Sequence, residues 1–98
     1  MIEVFNLNME LEEFEKLRNE ENLPLFDLLD SEKIMLFVDP YHDQIWIWEG
    51  KNTSTREKFI SSQLTPRFRD NHYITYRISS IDEGEEIAAF KVLVGIVK

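Results

Sequence analysis

Apolar and polar positions change period several times along this chain, and each change marks an element. From Ile2 to Leu7, β-branched and aromatic residues alternate approximately with polar ones, which predicts a half-buried strand at a sheet edge. Between Asn8 and Arg18, Leu11, Phe14 and Leu17 recur at three-residue steps among Glu10, Glu12, Glu13 and Glu15. With Asn8 as N-cap, this spacing predicts a short acidic helix. Asn19 to Pro24 is a polar loop, and Leu25-Phe26-Asp27-Leu28-Leu29 reads as strand or turn. Ile34 to Val38 is apolar at every position, as in a strand covered on both faces, and Asp39-Pro40 begins a turn. Gln44-Ile45-Trp46-Ile47-Trp48 is a second strand, and the short connection makes the pair an antiparallel hairpin.

A helix is predicted next, because Ser54-Thr55-Arg56-Glu57 fits the capping box, where the Ser hydroxyl oxygen accepts a backbone N–H and the Glu side chain reaches back. Ile60, Leu64 and Phe68 form one stripe of this 54–70 helix, facing the sheet, and Phe59, Gln63, Arg67 and Asp70 lie near the opposite one. Pro66 either kinks the helix or ends it near Leu64. Tyr73 to Ile78 alternates as a strand, Asp82-Glu83-Gly84 breaks the chain, and Glu86 to Leu93 predicts a second, compact helix.

Length and charge narrow what these elements build. Ninety-eight residues hold one small domain, residues 1–98, with no room for a second core. Residues 1–50 carry three Lys/Arg against thirteen Asp/Glu and residues 51–98 carry eight against six, so the halves stand at −10 and +2 and sum to −8. That balance argues against a nucleic-acid face. With no cysteine, thiolate chemistry and disulfides are absent, which fits a reducing compartment. The apolar runs are far shorter than a membrane span, and Met1-Ile2-Glu3-Val4 does not begin a signal peptide, so a cytoplasmic monomer is expected.

From Leu29 to Gly95 the chain resembles a gelsolin/villin/severin-type repeat. The resemblance rests on Phe37-Val38-Asp39 ending a buried strand, Ile45-Trp46-Ile47-Trp48-Glu49-Gly50 ending the next, and Thr53-Ser54-Thr55-Arg56-Glu57-Lys58 opening a helix. Glu83-Gly84-Glu85-Glu86, Phe90 and Leu93-Val94-Gly95 follow in the family's order. It implies an α+β domain in which a central mixed β-sheet is sandwiched between one long and one short α-helix. It also implies a non-enzymatic protein that binds actin or an actin-like subunit and regulates filament assembly, by monomer binding or capping more than by severing. Gelsolin-like domains serve as scaffold modules of vesicle coats as well, and that is the alternative implied. Carried onto this sequence, the actin-facing side of the long helix is Phe59, Ser62, Gln63, Pro66, Arg67 and Asp70; Gln63 and Pro66 depart from the aliphatic residues usual there.

The resemblance further implies calcium, with Glu57 as a ligand and Asp70 as a residue able to bridge calcium to a partner. The family's other acidic ligand falls on Lys33 or Ile34, neither of which ligates through its side chain, and Asp30 and Glu32 reach the place only if the loop is remodelled. Glu57 is also fully accounted for by the capping box. Trp46 and Trp48, two residues apart, share one strand face and read as interior packing, with an aromatic ligand platform as the alternative. Phe59 is either an exposed anchor beside Arg56 and Arg67 or is covered by residues 66–72 or the N-terminal segment. His42 beside Asp43 reads as a solvated turn pair without a nucleophile, and His72 as a loop residue.

Overall fold

The computed structural model describes residues 1–96. Its elements are strands β1 (Glu3–Asn8), β2 (Glu13–Lys16), β3 (Ile34–Asp39) and β4 (Gln44–Glu49), helix α1 (Thr55–His72), strand β5 (Arg77–Asp82) and helix α2 (Ala88–Val94). A 3-10 turn, Leu25–Leu28, precedes β3. The strands form one sheet in the order β2-β1-β3-β4-β5. All neighbours are antiparallel except β4 and β5, which run parallel and are joined through α1. This is the expected mixed sheet between a long and a short helix, an α+β fold.

β3 sits at the centre because its six residues are all buried, so apolar side chains leave both faces. Ile34, Leu36, Val38, Ile45 and Ile47 point toward α1, with Phe5, Leu7, Phe14, Phe68, Tyr73, Tyr76 and Ile78 closing that layer. Val4, Met35, Phe37, Trp46, Trp48 and Ile81 point the other way, where Phe90 and Val94 of α2 pack on them. Trp46 and Trp48 are therefore interior, not a ligand platform. Phe90 meets the edges of Phe37 and Trp46 at centroid separations of 5.4 and 5.8 Å.

Residues 8–18 are not a helix. Asn8 does cap, but it caps a turn: its Oδ1 accepts the Leu11 N–H at 3.0 Å, and Glu12 then adopts a φ of 50°. The chain reverses, and β2 pairs with β1 in the register Phe5↔Lys16 and Leu7↔Phe14. The three-residue spacing served two faces of a strand instead of one face of a helix. Phe14 packs on the α1 side and Leu17 on the α2 side, while Leu11 stays at the exposed tip. β2 is consequently the edge strand, and β1 lies inside the sheet between β2 and β3.

The strand expected at 73–78 starts at Arg77, because Tyr73 to Tyr76 form a turn in which the Tyr76 N–H donates to the Tyr73 carbonyl at 2.8 Å. α2 begins at Ala88 instead of Glu86; the Glu86 carboxylate accepts the Trp48 indole N–H at 2.9 Å and the Gly84 N–H at 3.1 Å, holding the preceding turn. No helix of the described residues is long and apolar enough to cross a membrane.

Candidate functional site

α1 is held at both ends. At its start, the Ser54 hydroxyl oxygen accepts the Glu57 N–H at 3.0 Å and Glu57 Oε1 accepts the Ser54 N–H at 2.9 Å, the complete capping box. At its end, the Tyr73 hydroxyl donates to Glu3 Oε1 at 2.6 Å, and Lys16 Nζ lies 2.8 Å from Glu3 Oε2. Hydrogen bonds from Lys16 and Tyr73 hold the Glu3 carboxyl below the usual carboxylate range. Burial and the Glu3 carboxylate push the Tyr73 phenol up to about 12, so it remains a donor throughout the neutral range.

The helix is continuous through Pro66. Pro66 is exposed, so the Ser62 carbonyl left without its helical N–H is on the solvent side, and the early end near Leu64 does not develop. The line of α1 against the sheet also differs from the expected stripe. Its fully buried residues are Ser61 and Thr65, whose hydroxyls donate to the carbonyls of Lys58 and Ser61 at 2.9 and 2.7 Å. Phe68 joins them and meets Phe5 edge-on at 4.8 Å, while Ile60 and Leu64 are half buried to one side. Small side chains inside let the helix lie close to the sheet.

The outer side carries the opposite chemistry. Phe59 is 60% exposed, and Ser62, Gln63, Pro66, Arg67 and Asp70 are all exposed with it. Phe59 is not covered by residues 66–72 or by the N-terminal segment. Ser62 donates to the Phe59 carbonyl at 2.8 Å, and Asp70 Oδ1 accepts from Arg69 Nε at 3.1 Å. Arg67 pairs with no acid among the described residues. A helix whose small polar residues are buried while a Phe and a Pro face water can offer an apolar anchor, with the Arg67 guanidinium about 12 Å along the axis from Phe59. Within α1, Arg56, Lys58, Arg67 and Arg69 outnumber Glu57 and Asp70, so this helix is net positive in a −8 domain.

The groups that the resemblance offers to an intradomain calcium are engaged elsewhere: Glu57 Oε1 accepts the Ser54 N–H, and the Lys33 carbonyl accepts the Gly50 N–H at 3.0 Å. Among the described residues no three His, Cys, Asp or Glu side chains converge as a metal site.

Two further features were not legible in the sequence. His42 pairs with the buried Asp39, not with Asp43: Asp39 Oδ2 lies 2.6 Å from His42 Nδ1, and Oδ1 accepts the Tyr41 N–H at 2.9 Å. The pair closes the β3–β4 turn. It also borders a groove of about 530 Å³ with Gln44, Trp46, Arg77 and Val92. At the sheet's other end, Glu49 and Asp82 stand opposite each other in the β4–β5 register. Burial, then a hydrogen bond with Asp82 and its charge, push the Glu49 carboxyl up.

No protein-family model matches this chain, and no curated protein does. Among solved structures it is similar to the Thorarchaeota protein ProGel, crystallised in complex with rabbit actin, at 27% identity and a TM-score of 0.79 over 97% of this chain and 100% of that one. It is also similar to Thorarchaeota 2DGel3, likewise crystallised with rabbit actin, at 27% identity and a TM-score of 0.65. That match covers 91% of this chain and 43% of the other. The fold is gelsolin-like.

Proposed function

We propose that this chain is a non-enzymatic actin-binding protein that acts on filament assembly by holding a monomer or capping a filament end through the outer face of α1. The observation that carries the reading is the exposed Phe59 on the long helix of a fold shared with two proteins crystallised with actin, with Arg67, unpaired among the described residues, about 12 Å further along that helix. The contact surface is Phe59, Ser62, Gln63, Pro66, Arg67 and Asp70, with Phe59 entering an apolar cleft and Arg67 meeting an acidic or carbonyl-rich rim. Calcium enters only at Asp70, as an ion bridging the domain to its partner; affinity that falls on chelation and in Asp70→Asn is the expected sign of it.

The test is a Phe59→Asp, Arg67→Glu double variant in pyrene-actin polymerisation and monomer-binding assays. Both positions are exposed, so the melting temperature should stay within the shift that about 0.5 kcal/mol produces, while the effect on actin disappears. A wild-type chain without any effect on polymerisation, with or without calcium, would refute the reading. The scaffold alternative predicts that result.

A further inference from the structure

Two contacts define the tip of the β1–β2 hairpin. Asn8 Oδ1 fixes the Leu11 N–H at 3.0 Å, and Glu12 keeps a left-handed φ of 50°, a conformation unfavourable for a residue with a side chain. Glu12 Oε2 lies 3.5 Å from Arg56 Nη2 in the first turn of α1, so the tip is tethered to the helix. Arg56 precedes Phe59 by three residues, on the same side of the helix. Leu11, directly before the tethered Glu12, is 60% exposed, as is Phe59. Two apolar side chains thus stand uncovered on two elements that an ion pair holds together. Nothing in the packing of the sheet needs Leu11, because Phe14 and Leu17 supply the buried contacts of this segment.

We propose that Leu11 is a second apolar anchor of the actin-binding surface, so that the partner is gripped by the hairpin tip and by α1 together. This rests on the reading given under Proposed function and deepens it. Continuity with the α1 face through the Glu12–Arg56 pair makes actin the occupant of both, and ProGel, crystallised with actin, matches 97% of this chain. Charge adds a second requirement. Glu10, Glu12 and Glu13 surround Leu11, and only Glu12 is paired with Arg56, so the partner's surface opposite the tip is an apolar depression with a basic rim. The strained Glu12 fits this role: it turns the chain so that residue 11 projects while residues 13–16 return to the sheet.

The experiment uses the full chain and monomeric actin. Affinity is measured by titration calorimetry for wild type, Leu11→Ala, Phe59→Ala and the double variant, with melting temperatures alongside. Burying a leucine at a contact corresponds to about a tenfold change in affinity, so Leu11→Ala should weaken binding by roughly that factor with an unchanged melting temperature. Hydrogen–deuterium exchange on the unmodified chain provides a readout independent of any substitution: amides 9–12 should slow when actin is added. If Phe59→Ala weakens binding while Leu11→Ala stays within twofold of wild type, or if amides 9–12 exchange as before, the second anchor is refuted and the α1 reading stands. If wild type does not bind actin, both fall.

Discussion

Replacing Gly50 with alanine isolates one steric demand of the fold. Gly50 follows β4 and passes directly over the backbone of residues 31–33. A Cβ there would stand 2.3 Å from the Ser31 carbonyl oxygen, 2.6 Å from its carbon and 2.8 Å from the Lys33 carbonyl oxygen. Ordinary contact for a carbon is about 3.5 Å or more. All three obstacles are main-chain atoms, so no side chain can rotate away. Relief requires the 31–33 loop to retreat, and that stretches the Gly50 N–H to Lys33 and Asn52 N–H to Ser31 hydrogen bonds, now 3.0 and 2.9 Å. Overpacking costs about 1–3 kcal/mol, and each weakened hydrogen bond adds up to about 1 kcal/mol. A central figure of about 3 kcal/mol is a large share of a small domain's stability and lowers its melting temperature by on the order of 15 °C. Urea unfolding gives the free energy, and Gly84→Ala is the control. Gly84 has a φ of 92° but open space around it, so that substitution carries backbone strain alone, about 1 kcal/mol. If Gly50→Ala proves no more destabilising than Gly84→Ala, the steric account of this corner is wrong.

Other consequences are equally direct. Glu86→Ala removes the acceptor of the buried Trp48 indole and should cost about 1–3 kcal/mol in urea unfolding, with a shifted tryptophan emission; an unchanged midpoint would show that the bond contributes nothing. Burial opposes the Glu86 charge, but the Trp48 N–H and backbone N–H groups outweigh it and hold the carboxyl below 4.5. Its stabilising effect is therefore present above pH 4.5 and is lost as the pH falls through the lower folded value. Glu49 has the opposite sign. Its carboxyl is raised above 4.5, so its contribution is full below 4.5 and is lost as the pH rises through the folded value. Asp82→Asn should accordingly raise the melting temperature at pH 7 relative to wild type and bring no gain at pH 4; the reverse order would contradict the assigned repulsion. Calcium at millimolar concentration should leave the melting temperature of the isolated chain unchanged, since Glu57 is engaged in the cap, and a rise of several degrees would reveal an intradomain site.

The central part of the fold was readable from the order of residues alone. Ile34 to Val38 has no polar residue to turn outward, so it had to be covered on both faces, and Ser54 with Glu57 marked the start of α1 unambiguously. The N-terminal hairpin was not readable. Leu11, Phe14 and Leu17 fit a helical stripe as well as a strand, and the deciding events, an Asn8 turn and a positive φ at a glutamate, leave no periodic trace. Tyr73 and Tyr76 misled in the same way, since their aromatic alternation reflects packing of a turn under α1. The outer face of α1 was placed correctly by 100° geometry, while its inner line was not. Hydrophobic periodicity selects Ile60 and Leu64, whereas the close approach of helix to sheet is set by Ser61 and Thr65, small residues that carry no hydropathy signal. Leu11 as an exposed residue was hidden for a related reason, because a helix over 8–18 would have buried it.

Ser61 and Thr65 act as shims. Because both are compact and satisfy their own hydroxyls within α1, they fix the height at which the helix rides above β3 and β4, and the hairpin tip is referenced to the same strands through β1. A bulkier residue at either position would jack the helix away from those strands and load the Glu12–Arg56 pair that links it to the tip. Two side chains that never meet another molecule thereby determine the offset between Phe59 and Leu11.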